Sequence, residues 1–295
     1  MTASHACGLI NRWNPLLYNG FAFIHALLDL VEQLPDDFYR HEGRGRKPKR
    51  DVKVYLILLC VKEYLRLSLR GAEEFVELLL KVHIDHSVLH YWEKKLEPIA
   101  SKLVELAGKR IEELIGYDYS CVDSTKFVSW QMQCFELHVL ARKASKTIYV
   151  AKLDIASVGP SKLSLLVEGK GKLFADRWYD SNKFIGQAFK LGYEPLIKPN
   201  RKRCKGFWRK KARKIWKFKS YEYKNRSVVE GLFGALTVWF GDRLKTRLES
   251  TTRFRIACRV LCYNVRILVR AKEANEEIEI LFIGIFRHAP RVNKI

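Results

Sequence analysis

The chain has 295 residues, enough for one large domain or two small ones with real cores, and its 48% hydrophobic content excludes a disordered polymer. Lysine and arginine number 54 against 32 acidic residues, a formal net charge of +22 that works against a compact chain unless a polyanion offsets it. Nucleic acid is the first candidate, because each neutralised phosphate releases condensed counterions, and an anionic membrane surface is the second.

The membrane reading is weak. The most apolar run, Val54 to Val61, is far shorter than the roughly 20 residues a spanning helix needs, and Lys53 and Lys62 flank it. The N-terminus has no charged region followed by an apolar core and a small-residue cleavage site, so a cytoplasmic, nucleoid-associated protein without membrane contact is expected. The seven cysteines (Cys7, Cys60, Cys121, Cys134, Cys204, Cys258 and Cys262) include no CxxC pair, and several sit in apolar runs. They read as free thiols in a reducing compartment.

In chain order, residues 1–43 form a mixed N-terminal segment in which Phe21 to Leu34 suits a helix closed by Pro35. Gly43 to Arg50 is a basic stretch with helix breakers, in which Arg44, Arg46 and Lys47 are candidate phosphate contacts. Asp51 is a plausible N-cap for a helix to about Leu67, followed by helices over Arg70 to Leu80, Ser87 to Leu96 and residues 99–115. Short helices at this spacing suit a helix-turn-helix DNA-binding region over 44–115, with His90 to Lys95 in the recognition helix. An ordinary helical bundle fits equally well. His83, His86 and His90, spaced three and four apart beside Asp85, suit a metal only loosely, and no cysteine completes a tetrahedron.

The texture changes after Gly116. Tyr119 to Thr125, Thr147 to Ile155, Lys172 to Asp176 and Glu194 to Ile197 read as strands, and Ser181 to Leu191 as a helix. The alternation predicts an α/β domain over 116–271 with a partly parallel sheet, followed by a tail over 272–295. Residues 201–219 hold eleven lysines and arginines and no acid. Arg201, Lys202, Arg203, Lys205, Arg209, Lys210, Lys211, Arg213 and Lys214 are candidate DNA contacts, with Phe207, Trp208, Trp216 and Phe218 interleaved to stack on bases or to pack beneath a loop. Arg253 to Arg270 alternates arginine with apolar residues and reads as a helix on the sheet, with Cys258 and Cys262 as core thiols.

Three carboxylates stand out. Asp123 and Asp176 each end a short apolar strand, the position where α/β sheets build sites, although lone aspartates there are commonly caps. Asp154 and Asp180 are rivals for the second place, Asp180 also being a natural N-cap. On a helix over the third segment, Tyr223, Arg226, Glu230, Gly234 and Thr237 share one stripe, while Val228, Val229, Leu232, Leu236 and Trp239 face elsewhere. Such a stripe gives a phosphate-gripping guanidinium beside a metal-binding carboxylate; a surface salt bridge explains Arg226 and Glu230 as well.

Tyr223-Lys-Asn-Arg226-Ser-Val-Val-Glu230 resembles the tyrosine–arginine–glutamate signature of DDE transposases from bacterial and archaeal insertion sequences. Cys-Val-Asp123-Ser-Thr and Leu-Phe-Ala-Asp176-Arg-Trp-Tyr-Asp-Ser resemble that family's segments around its first and second aspartates, and Gly192 to Asn200 is similar to the family's stretch after the second aspartate. The resemblance implies an RNase-H-like catalytic core with an N-terminal helical DNA-binding region. It implies Asp123, Asp176 and Glu230 as catalytic ligands of two Mg2+ ions (Mn2+ as substitute), and double-stranded DNA as substrate at transposon ends and target. It also implies a homodimer in a synaptic complex. A lysine often found in the family seven residues after the glutamate is Thr237 here; Lys245 or Arg247 stands nearby. A domesticated, inactive DNA-binding protein and a host nuclease with the same core are the alternatives.

Overall fold

The computed structural model describes residues 20–35, 37–39, 48–145, 147–156, 162–200, 202 and 205–287. Five helices come first. In α1 (Gly20–Glu32) the buried Phe23, Ala26, Leu27, Leu30 and Val31 recur at helical spacing and form one apolar face. The α2 helix (Val52–Tyr64) starts at Asp51, whose carboxylate accepts from the Lys53 N–H at 2.9 Å. It stops three residues earlier than the apolar run suggests. Arg66 turns left-handed (φ 59°), Leu67 N–H reaches back to Lys62 C=O at 2.9 Å and Arg66 N–H to Glu63 C=O at 3.1 Å, which closes the helix in a Schellman turn. Ser68 then caps α3 (Leu69–Leu80), Asp85 caps α4 (His86–Lys95), and Pro98 opens α5 (Glu97–Ile115).

The sheet comes next: β1 (Tyr119–Ser129), β2 (Cys134–Ala144), β3 (Thr147–Ala156), β4 (Gly171–Ala175), β5 (Tyr193–Ile197) and the short β6 (Arg243–Leu244). Its order is β3-β2-β1-β4-β5, with β6 beside the end of β1. The β1–β2 and β2–β3 pairs are antiparallel; β4 and β5 continue parallel to β1. This mixed α/β architecture is consistent with an RNase-H-like core. β2 has no counterpart among the strands expected from sequence, although Phe135, Leu137 and Val139 alternate within it and are all buried.

Helices cover both faces. On one side α6 (Asn182–Lys190) and α7 (Phe207–Lys219) pack over Val122, Leu140, Leu173 and Ala175. On the other, the larger core joins α1 to α5 with α8 (Val228–Phe240) and α9 (Glu249–Arg287). The α7 helix lies in the segment that the sequence marks only as a basic strip. Trp208, Ala212, Ile215 and Trp216 fall at helical spacing and supply its packed side, and the Asn182 side chain accepts from Trp208 N–H at 3.0 Å to cap it.

The 39 residues of α9, about 58 Å of helix at 1.5 Å per residue, hold the layers together. A bulge lets β3 skip Ala151 against β2, which leaves Val150 to be satisfied elsewhere. The buried Asn264 amide does so, accepting from Val150 N–H at 3.0 Å and donating to Val150 C=O at 2.7 Å and Val104 C=O at 3.2 Å. Gly108 of α5 sits against the same bulge, where a Cβ would meet Val150 O at 2.5 Å. Further along, Glu93 of α4 accepts from Lys62 and, through both oxygens, from Arg255, all at 3.0 Å. Glu63 accepts from Lys62 at 2.6 Å and from Arg259 at 3.3 Å. These five side chains form a buried ion network across α2, α4 and α9. Among the described residues Cys60, Cys121, Cys258 and Cys262 are buried free thiols and Cys134 is exposed. No helix among the described residues is long and apolar enough to cross a membrane.

Replacing Asn264 with leucine orphans both backbone groups of Val150 and is expected to cost about 2–4 kcal/mol in chemical denaturation. Glu63→Gln, which leaves buried cations uncompensated, is expected to cost about 3 kcal/mol at neutral pH. Burial alone would raise the Glu63 pKa, but Lys62, Arg259 and Arg255 together hold it below the ordinary 4.5. A depressed carboxylate stabilises above its unfolded pKa and loses that contribution as pH falls through the folded value. The gap between wild type and Glu63→Gln should therefore close in acid; a gap that widens contradicts the network's role.

Candidate active site

Asp123 lies in β1, on the sheet face of Cys121 and Phe127 by strand alternation. Asp176 directly follows β4. Because β4 runs parallel to β1 with Ala175 beside Val122, the two aspartates come abreast at neighbouring strands. The third segment departs from the expected single helix: Ser220–Ser227 is a 3-10 turn joining α7 to α8. Tyr223 and Arg226 sit on that tighter turn and Glu230 in the first turn of α8. Val229, Leu232 and Leu236 are buried as expected, which fixes α8 on the sheet and turns Glu230 toward the aspartates.

One guanidinium reaches across the group. Arg226 donates to Asp123 Oδ2 through one nitrogen and to Glu230 Oε1 at 3.0 Å through the other. Burial raises the Asp123 pKa above its ordinary value; Arg226 and the Ser124 N–H oppose this, while Asp176 and Glu230 push it further up. Tyr223 hydrogen-bonds Asp176, and its phenol is pushed up to about 12, first by burial and then by Asp176 and Asp123. Trp216 packs edge-on to that ring at 5.0 Å. Beneath them is a buried pair that sequence reasoning missed. His138 on β2, opposite Ser124, meets the Tyr179 hydroxyl at 2.8 Å and Glu136 at 3.3 Å. The alternation of β2 is the one sequence signal that could have found it.

Residues 121–265 match the family model described as the transposase DDE domain, a span that holds Asp123, Asp176 and Glu230. The match supports a DDE transposase of insertion sequences. A comparison with curated proteins found no match. The family implies divalent-metal use and DNA binding.

The rival carboxylates are engaged elsewhere. Asp154 accepts from Ser164 at 2.8 Å. Asp180 is not the N-cap of α6, a role that falls to Ser181, whose hydroxyl accepts from Phe184 N–H at 3.1 Å. Asp180 instead accepts from Arg209 at 3.0 Å and Asn200 N–H at 2.7 Å.

The basic strip divides. Arg209 binds Asp180, Arg213 donates to Asn200 C=O at 2.8 Å, and Lys202 begins a turn on Asn200. Lys205, Lys210, Lys211 and Lys214 are exposed, Lys211 with its ammonium 4.5 Å from the Phe189 ring. Trp208 is packed on Phe189 and Gly186, whereas Phe207 and Phe218 face solvent. Arg44, Arg46, Lys47, Arg201 and Arg203 lie outside the described residues.

Among the described residues, three metal-capable ligand atoms come within 4.8 Å of one another at Glu73 of α3 and at Asp85 and His86 at the start of α4. Capping accounts for that group. Asp85 accepts from Ser87 N–H at 2.7 Å, and Glu73 accepts from His86 N–H at 3.2 Å and lies 2.8 Å from the His86 ring.

Asp180→Asn is expected to cost about 1–3 kcal/mol in thermal or chemical denaturation, because Arg209 loses a charge-assisted partner. It should leave cleavage by the folded protein within about two-fold, since the side chain is tied down away from Asp123. A large loss of cleavage at full stability would return Asp180 to candidacy.

Proposed function

We propose that this transposase cuts DNA at the ends of its element and joins the freed 3′ ends to target DNA, with Asp123, Asp176 and Glu230 as ligands of two Mg2+ ions, Mn2+ substituting. The observation that carries the reading is that Arg226 bridges Asp123 of β1 and Glu230 of α8, while Asp176 at the end of β4 lies near enough to raise the Asp123 pKa. The donor set fits the group: hard oxygens suit Mg2+. The Asp123 carboxyl, raised by burial and by its two acidic neighbours despite Arg226, marks a pocket still short of positive charge. Asp123, Asp176 and Glu230 would hold two such ions, which would supply activation of a water and charge stabilisation at the leaving 3′ oxygen.

The chain's own groups do the rest. Arg226 presents a planar fork that suits a phosphate as well as it suits a carboxylate, and so holds the scissile group once the acids have cations of their own. Tyr223 orients Asp176 through its hydrogen bond. The His138–Tyr179 pair stiffens the strands beneath. The exposed Lys205, Lys210, Lys211 and Lys214, with Arg201, Lys202 and Arg203, lead DNA to the site, and Arg44, Arg46 and Lys47 add contacts from the N-terminal side. The helices of residues 44–115 recognise the terminal sequence, with His90 to Lys95 in the groove. Two ends held together call for a homodimer on duplex DNA, in the cytoplasm at the nucleoid.

The test is cleavage of duplexes carrying the sequences that flank the coding segment, with Mg2+. Asp123→Ala, Asp176→Ala and Glu230→Ala are each expected to lower nicking by about 10³-fold or more while DNA affinity changes by less than about three-fold. Wild-type binding without nicking would indicate a domesticated binding protein, and nicking without joining a host nuclease; either result replaces this reading.

A further inference from the structure

A second basic feature lies in the cleft between the α2–α3 turn and the β6 segment. It encloses about 490 Å3 and is lined by Arg66, Ser68, Arg243, Lys245, Arg255 and Arg259, with Glu63 as the one acid among its lining residues. Its floor is the buried network, in which Arg255 and Arg259 are held by Glu93 and Glu63. Its rim is different. Arg66, Arg243 and Lys245 are exposed, and among the described residues none has an ion-pair partner. Both rim segments are built to aim these side chains. Arg243 and Lys245 alternate outward while Leu244 and Thr246 point in, a strand pattern fixed by the pairing of β6 with Val128 and Ser129. Arg66 occupies the left-handed position that closes α2, where glycine is the easier occupant, so the turn carries a cation at the cost of its preferred residue. The cations crowd. The Arg259 pKa is lowered by burial first; Glu63 opposes this, and Arg255 and Arg66 depress it further.

We propose that this cleft binds the sugar–phosphate backbone of a DNA strand, as a second contact remote from the acidic site. Three unpaired cations over a positively charged floor match a polyanion rather than a protein carboxylate or a neutral ligand. From Asp123 to Val128 the strand advances five residues, about 17 Å at 3.3 Å each, so the cleft lies about five base-pair steps from the carboxylates at 3.4 Å per step. A strand seated there would fix the register of the duplex without touching the reacting phosphate. Of the proposed function, only DNA as a partner is needed here.

The experiment is equilibrium binding of the full chain to a labelled 30-base-pair duplex over a range of salt, without Mg2+, so that no cleavage is read. Arg66→Ala/Arg243→Ala/Lys245→Ala should lower the slope of log K against log salt by about 2–3, at about 0.9 for each phosphate no longer neutralised, and weaken binding about ten-fold or more at 0.1 M salt. A charge-matched control at solvent-accessible sites outside every segment assigned to DNA, Lys143→Ala/Lys170→Ala/Lys190→Ala, should change the slope by less than 1. Arg66→Gly, which the turn accepts without strain, should lose affinity while keeping the wild-type melting temperature. Equal losses in the two triple variants would reduce the effect to net charge and overturn the proposal, as would an unchanged slope in the first. Inorganic phosphate at matched ionic strength should leave the complex intact; displacement by millimolar phosphate marks a small-anion site and also overturns it. A cleavage-dead but binding-competent protein leaves this inference standing while the proposed function falls.

Discussion

Three carboxylates brought to one place repel one another, and the rest of this architecture answers to that constraint. The cost is visible in Asp123, whose proton affinity rises through burial and through Asp176 and Glu230. Arg226 offsets part of it by reaching Asp123 and Glu230 at once. A single positive charge cannot balance three negative ones in a partly buried site. The uncompensated remainder favours added cations, which agrees with the divalent-metal use the family implies. The planar fork of Arg226 is satisfied by two carboxylates of matching geometry.

Such a site works only if its elements do not drift apart, and they come from distant parts of the chain. Asp123 and Asp176 are fixed by strand pairing. Glu230 depends on α8, which depends on α9: Arg266 of α9 lies 3.8 Å above the Trp239 ring, and Tyr263 packs 5.7 Å from it. The same long helix fills the β3 bulge with Asn264 and anchors α2 and α4 through Arg255 and Arg259. The N-terminal helices and the sheet consequently share one hydrophobic core rather than meeting at a polar seam. Those helices are therefore held at a fixed distance from the carboxylates.

The strand that runs into Asp176, the first half of β1, the helices with clear caps and the spacing of Arg226 and Glu230 were legible because each rests on local chemistry: an N-cap, an alternation, a four-residue repeat; Asp123 does not end its strand as expected, since β1 continues to Ser129. The misses are equally physical. β2 carries Glu136, His138, Arg142 and Lys143 between its apolar residues, and these hid the strand; His138 and Arg142 are buried only because Tyr179 and Glu112 wait for them across the fold. The α7 helix was masked by its cations, although Trp208, Ala212, Ile215 and Trp216 mark its inner face. The 3-10 turn at Tyr223, between α7 and α8, carries no signature in the sequence. Asp180 looked like a cap because capping is local, whereas its partner Arg209 is 29 residues away.

The excess of positive charge is also resolved by structure rather than by composition. A net +22 does not say where a polyanion lies. Arg142, Arg209, Arg213, Arg255 and Arg259 are consumed internally, on carboxylates or backbone carbonyls, because a planar fork satisfies several acceptors in a confined space. Lysines such as Lys205, Lys210 and Lys214 remain at the surface, where a flexible, strongly hydrated ammonium loses least. Arginine builds the fold and lysine supplies most of the field on α7. Exposed, unpaired arginines such as Arg66 and Arg243 run against that division, which is why their positions on the rim of a cleft carry more information about DNA than the total charge does.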